Sequence, residues 1–296
     1  MGLDNTAAQT LSGAKSIGAN FGSTLMIGRQ WLQADPELIG DIARLHGTVV
    51  PLIVPGQPFA EPFFETLGAK RVDSLDFSTF EGATVQQDLN QPIPEKLHGK
   101  YDVVFDGGSL EHVFNFPLAL KSCMEMVRLG GHFIQVSNGN NFMGHGFWQI
   151  SPELIYRSMS LANGFEVVAV MLRELRMGGR NRDLRGKFQI ARDPDELGWR
   201  VELVNRHPTY VITIAKRIGD GPVFAQPPHQ SDYQRLWDTG DGIRAGAVKT
   251  SRRSRAISAV RKIIPERVER ALRSPLSNKA YAPLSGDEVM RGIFKK

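Results

Sequence analysis

Glu111 and His112 stand side by side shortly after Asp106, and His145 follows in a stretch rich in Asn and Gly. An imidazole of ordinary pKa, about 6.5, takes up a proton near neutrality, and a carboxylate beside it can orient it. His112 and His145 are therefore competing candidates for a general base, with Glu111 as the orienting acid. The competing reading is that Glu111 and His112 only brace their loop through hydrogen bonds. The stretch from Ser137 to Ser151 reads SNGNNFMGHGFWQIS. It offers the amides of Asn138, Asn140, Asn141 and Gln149 and the ring of Trp148. Hydroxyl partners and a stacking face are what a saccharide needs, so this is the candidate acceptor loop. Alternatively it is a turn whose aromatic side chains dock on the core. Neither histidine has Cys or His neighbours at metal-ligand spacing, so no metal is expected.

Several elements must position these groups. Apolar runs at Ser23–Gly28, Lys70–Phe77, Ala83–Asp88, Tyr101–Asp106, Gly131–Val136, Phe165–Leu172 and Tyr210–Lys216 read as seven strands. Asp35-Pro36 and Ser151-Pro152 are helix starts, an N-cap followed by proline at the first turn. A helix is expected from Phe116 to Arg128, stopped by Gly130-Gly131. Strands that alternate with helices imply a mostly parallel sheet covered on both faces. Ligands of such a sheet bind just past the carboxyl ends of its strands. Asp76, Asp88 and the residues from Asp106 to His112 fall at those ends.

Asp102, Asp106, Leu110-Glu111-His112-Val113 and, after a helix, Leu129-Gly130-Gly131 form an ordered set. The set resembles the middle of a class I S-adenosylmethionine-dependent methyltransferase, of the small-molecule type met in saccharide pathways. The resemblance covers roughly residues 22–217. It implies an α/β, Rossmann-like, seven-stranded and mostly parallel sheet, with the last strand inserted antiparallel beside the fifth. It implies S-adenosyl-L-methionine as cofactor. Gly28 would lie in the turn under it, Asp76 would accept from the ribose hydroxyls, and Asp88 would bond the adenine amino group. Asp106 would lie by the methionine moiety. The resemblance also calls for a Gly-x-Gly-x-Gly-like turn after the first strand, of which Gly28-Arg29-Gln30 keeps one glycine. Arg29 and Gln30 would have to point away from the cofactor. Asp76 as a turn cap, and Asp88 as an Asx turn before Pro92, are the structural alternatives.

The rest of the sequence excludes other chemistries. No Gly-x-Gly-x-x-Gly follows the first strand, and there is no P-loop or Gly-x-Ser-x-Gly elbow. With one cysteine, Cys123, no disulfide framework forms within the chain. No apolar run of about 18 residues exists. The first residues lack a signal core and fit the short Met-Gly-x-x-x-Ser/Thr acylation pattern. A cytoplasmic location is expected. The stretch 249–296 carries +9 against +5 for the whole chain, which leaves residues 1–248 at −4. A basic tail on a mildly acidic body argues against a nucleic-acid surface. Apolar residues at three-to-four spacing in 255–273 suggest a basic amphipathic helix, so residues 249–273 are a candidate contact for an anionic membrane surface. Three regions are expected: a loose lead over 1–20, a methyltransferase-like domain over 21–218 with an insertion at 173–208, and a basic, partly helical extension over 219–296. The expected activity is methyl transfer to a small polar acceptor, a sugar or glycan precursor. The alternative is a catalytically inactive methyltransferase-like scaffold or binding subunit in glycan assembly, which the reduced glycine turn favours.

Overall fold

Alternate residues of a strand face opposite sides of its sheet, and here both sides are apolar. Met26, Val103, Phe105 and Ile134 enter one core cluster, while Leu25, Ile27, Val104 and Phe133 enter the other. The computed structural model describes residues 2–49, 58–175, 187–198, 200–239 and 280–294. The central strands are β2 (Ser23–Ile27), β4 (Arg71–Asp76), β5 (Val85–Gln86), β6 (Tyr101–Asp106) and β7 (Val127–Asn138). They pair in parallel. Beside them run β8 (Phe165–Glu174), β9 (Phe188–Ala191), β10 (Thr209–Arg217) and β11 (Tyr281–Leu284), all in antiparallel pairs. The order is β11-β9-β8-β10-β7-β6-β2-β4-β5. β1 (Gly2–Leu3) and β3 (Trp31–Leu32) form a separate parallel pair.

The order confirms the expected late antiparallel strand: β10 lies between β7 and β8. Among the described residues the sheet has nine strands, which corrects the expected seven. β9 lies inside the expected insertion, and β11 comes from the far end of the chain. Both are four residues long, too short for a period-2 signal to stand out. β11 also contains Pro283. Proline cannot donate to a ladder and is tolerated on an edge strand, and β11 is the outermost strand. The strand expected over Ala83–Asp88 shrinks to two residues, whereas Tyr101–Asp106 keeps its expected bounds.

The helices are α1 (Asn5–Ser16), α2 (Pro36–Leu45), α3 (Glu61–Thr66), α4 (Phe116–Met126), α5 (Pro152–Ser158), α6 (Pro194–Leu197), α7 (Ser231–Thr239) and α8 (Gly286–Met290). Asp35 and Ser151 cap α2 and α5 as expected, accepting from Glu37 N and Leu154 N. α4 ends at Met126 rather than Arg128, because β7 begins at once and runs through Gly130-Gly131. α5 is also shorter than expected. A separate turn at 161–163 precedes Gly164, whose φ of 74° suits glycine.

Residues 1–20 are not the loose lead their small, polar composition suggested. Asp4 caps α1, and every residue from Asn5 to Ala14 is buried. Small side chains let neighbours approach this helix from all sides, and its polar groups find partners. Thr10 donates to Thr6 O (2.8 Å), Asn5 accepts from Asp35 N (2.7 Å), and the Arg173 guanidinium donates to Gln9 (2.8 Å). Arg173 is thus a buried packing residue. The further insertion arginines, 176, 180, 182 and 185, lie outside the described residues, as does the basic stretch 249–273. The end of the expected extension belongs to the same body. α8, held by a Ser285–Glu288 capping box, lies against α1. Ser12 and Ser16 both donate to Met290 O. Among the described residues no helix is long and apolar enough to cross a membrane.

A Cβ on Gly13 would overlap the Val289 carbonyl oxygen, so only glycine allows this approach of α1 and α8. Gly13→Ala should therefore destabilise by about 1–3 kcal/mol, the usual range for overpacking. Gly144→Ala, where a Cβ meets nothing within 4 Å, should change little. Urea unfolding of the two variants tests the pair. Equal midpoints would mean that α1 and α8 are not in firm contact.

Candidate functional site

The carboxyl ends of the parallel strands are level. Ile27 pairs with Leu75 and with Asp106, Asp76 with Gln86, and Asp106 with Gln135. The sequence-predicted acids Asp76, Asp88 and Asp106 therefore lie along one edge, with Gly28 at its centre. Asp76 is half-buried, and one of its oxygens accepts from Ser78 N (3.3 Å). Asp88 is half-buried and accepts from both the backbone and the side chain of Asn90. The turn-capping alternative is present at both residues. In each, the second carboxylate oxygen has no partner among the described residues and can accept from a ligand.

Asp106 behaves differently. It is fully buried, and its carboxylate accepts from Ser109 N (2.7 Å), Leu110 N (3.3 Å) and Gln135 Nε2 (2.9 Å). These bonds fold the loop 107–110 back over the strand end. Ser109 then donates to Ile27 O (2.6 Å). A Cβ on Gly28, whose φ is 68°, would lie 2.7 Å from the Ser109 hydroxyl oxygen. The glycine is thus required by the loop that faces it as well as by its own backbone.

The two residues after Gly28 part company. Arg29 points away, donating to Glu61 (2.6 Å) and Glu81 O (2.8 Å) and lying over the Phe59 ring. Gln30 turns inward, against expectation. It is 1% exposed, donates to Ile27 O (2.8 Å), and lies 2.6 Å from where a Cβ of Gly107 would sit. Its Oε1 is buried without a partner. Gln30 fills space that further glycines would leave open.

Past this turn lies a cavity of about 220 Å³, lined among others by Asp4, Gly107, Glu111, Asn138, Phe142 and Tyr210. Glu111 is 1% exposed and accepts from the Ser137 hydroxyl (3.0 Å). Burial raises its pKa, and so does the nearby Asp106 charge, while Asp106 is raised chiefly by burial. Two buried carboxyls this close resist ionising together. Burial likewise raises Asp4, against its cap bond to Ala7 N and the pull of Arg173. His145 also lines the cavity, and its ring centre is 5.0 Å from that of His112. Burial, and then His145, lowers the pKa of His112.

The Asn-rich loop divides. Asn138, 3% exposed, lines the cavity with an unpartnered Nδ2. Asn140 and Asn141 instead donate to Asn205 (2.7 Å each) and brace the neighbouring segment. Trp148 is docked by its indole N–H on Val113 O (3.0 Å), and Gln149 is exposed. Sequence reasoning missed Asp4, Phe142 and Tyr210. Phe142 and Tyr210 are stacked at 5.5 Å with an interplanar angle of 6°. Asp4 did carry a signal, an N-cap residue before a run of small helix-compatible residues. Nothing in the local sequence marks the two rings as neighbours.

No protein-family model matches this chain, and no curated protein matches it in sequence. Among solved structures the chain is similar to the trans-methyltransferase CalH in complex with SAH. That match has 14% identity over 71% of this chain and 55% of that one, with a TM-score of 0.37. It is similar to the antibiotic-resistance methyltransferase Kmr, at 16% identity over 70% and 91% of the two chains and a TM-score of 0.32. It is also similar to the branched-chain polyamine synthase from Thermus thermophilus, in complex with N4-aminopropylspermidine and 5'-methylthioadenosine. There the identity is 15% over 77% and 60% of the chains, with a TM-score of 0.36. Likeness of this degree defines neither a cofactor nor a reaction.

The acids differ in what their loss should do to the fold. Asp106→Ala leaves two backbone N–H groups and the Gln135 amide without their acceptor, so about 2–4 kcal/mol of stability should be lost. Asp76→Ala and Asp88→Ala should each cost under about 1 kcal/mol, since each caps only its own turn. Denaturant midpoints of the three variants decide this, and equal losses would contradict the division.

Proposed function

We propose that the chain binds S-adenosyl-L-methionine along the level strand ends and transfers its methyl group to a small polar acceptor in the cavity. One observation carries the reading: two carboxylates with a free oxygen, Asp76 and Asp88, share an edge with the Gly28 turn and with a cavity lined by Glu111 and the unpaired Asn138 amide. The donor set fits the group. Asp76 would accept from ribose hydroxyls, Asp88 from the adenine amino group, and Gly28 would let the backbone come close. Bound there, the cofactor supplies a methyl group on a sulfonium that is already a good leaving group. The protein's share is alignment and proton handling. Asn138 Nδ2 would donate to an acceptor oxygen. His145, which lines the cavity, or His112 beside it would receive the acceptor's proton, and Glu111 would hold that end in place.

A hydroxyl-bearing acceptor of the sugar type suits the Asn138 donor and the aromatic walls at Phe142 and Tyr210. The basic stretch 249–273 would bring the protein to an anionic membrane surface, where lipid-linked acceptors are built. A second reading is favoured by Gln30, whose side chain fills the turn. In that reading the chain keeps the fold without the cofactor and serves as a scaffold or binding subunit.

Titration calorimetry with S-adenosylmethionine and S-adenosylhomocysteine separates the two. Micromolar binding, weakened at least tenfold by Asp76→Ala or Asp88→Ala, is expected. No binding up to millimolar ligand, with binding restored by Gln30→Gly, would instead support the second reading.

A further inference from the structure

We propose that Glu111, His112 and His145 form a binding site for one divalent transition-metal ion at the open end of the cavity. The Glu111–His112 pair and His145 come from separate loops, yet their ligand atoms all lie within 4.8 Å of one another. The approach is built into the backbone. Phe147 N and Trp148 N both donate to Glu111 O, at 2.8 and 3.3 Å, which clamps the second loop onto the first. Gly146, at φ 73°, allows the clamp, because a Cβ there would lie 2.8 Å from Glu111 O. His145 N closes a turn onto Phe142 O (2.9 Å) and so presents the ring to His112.

Two observations point to a cation. Glu111 is a buried carboxylate with no cationic side chain paired to it among the described residues. The Ser137 hydroxyl bonds one of its oxygens from behind, as partners of a metal ligand do. In addition, neither imidazole has a hydrogen-bond partner among the described residues. Both are exposed enough to rotate, and a shortening of about 1–2 Å in the ligand spacing would bring all three within bonding range of one ion. Two imidazoles and one carboxylate suit zinc, manganese, iron, cobalt or nickel, whereas magnesium and calcium prefer all-oxygen sites. Three ligands also leave coordination positions open toward the cavity.

The chemical role of the ion rests on the methyl-transfer reading and specifies its acceptor class as a hydroxyl. An ion at this place would hold the hydroxyl oxygen and lower its pKa. The O–H proton leaves to solvent through the open end. The oxygen–carbon bond then forms as the carbon–sulfur bond breaks, and the electron pair stays on sulfur as a neutral thioether. In this form His112 and His145 are ligands rather than bases.

The test is binding of the metal alone to the purified full chain after removal of bound metal with a chelator. Calorimetry with Zn²⁺ and Mn²⁺, and the visible spectrum with Co²⁺, report on the site directly. One ion per chain is expected, with affinity weakened at least tenfold by His145→Ala and by His112→Ala. His98→Ala serves as a control for a histidine elsewhere and should change nothing. His145 is exposed, so its variant should keep the parental circular dichroism even where Glu111→Gln does not. Binding that survives both histidine variants, or no binding up to millimolar metal, overturns the site. Cofactor titration in chelator is read separately. Cofactor binding without metal binding removes this site and leaves the methyl-transfer reading intact, whereas metal binding without cofactor binding does the reverse.

Discussion

Everything at the strand ends hangs on the buried Asp106 carboxylate. A carboxyl group at zero exposure is costly unless its oxygens are satisfied, and here three N–H donors converge on it. They come from Ser109, Leu110 and Gln135, so one side chain ties β6, the following loop and β7 together. The loop then has one path. It sends the Ser109 hydroxyl across to Ile27 O, which leaves room only for glycine at 28. It also delivers Glu111 to Ser137 and to the backbone of the Asn-rich loop. Asp106 thus acts on the site by holding its frame. Its oxygens are already engaged, which separates it from Asp76 and Asp88 despite their shared place at strand ends.

The second constraint is that both described ends of the chain build one wall. α1 carries Asp4 and Ala7 to the cavity, and α1 is itself covered by α8. The contact uses the smallest possible side chain at Gly13 and two serine hydroxyls on one carbonyl. Between Thr239 and Ala280 the chain lies outside the described residues, yet its return adds β11 to the sheet and α8 to the wall. The position of α1, and with it Asp4 at its cap, therefore depends on close packing and two hydrogen bonds, the longer spanning 278 positions in sequence.

How far these features could be read from the sequence follows from their range. Tyr101–Asp106 is legible because a continuous apolar run ending in Asp-Gly-Gly is a local signal, and its bounds hold. So are the helix starts at Asp35-Pro36 and Ser151-Pro152, since capping is decided within three residues. The strand-end placement of Asp76 and Asp88 is legible from the alternation of elements. What the sequence hides is tertiary. α1 has no strong apolar face, so its burial is invisible until β7, α2, α8 and Arg173 are seen around it. β11 holds a proline, and its strand character comes only from β9. Asn138, Asn140 and Asn141 look alike in sequence, and only the placement of Asn205 divides them. Gln30 looks like a residue that must point outward, and it points in because Gly107 leaves space for it.

The cavity's charge bears on what it can hold. Among the described residues its lining includes Asp4 and Glu111 and no Lys or Arg. The Arg173 guanidinium bonds to Gln9 and lies over the Phe188 ring, and the residues before the basic tail carry a net −4. Coulomb interactions strengthen where water is excluded, so this cavity opposes an anionic acceptor and favours a positive group or a neutral one with hydroxyls. In the proposed function a sulfonium would meet that demand from the cofactor side, and the proposed metal ion at Glu111 would meet it from the loop side. Burial raises the pKa of Asp4, Asp106 and Glu111, so protonation also reduces the charge of this wall, and Arg173 offsets it further at Asp4. A phosphorylated sugar would place its dianion against the same carboxyls. Under the proposed methyl transfer, this wall favours an acceptor that is positive or neutral where it enters the cavity.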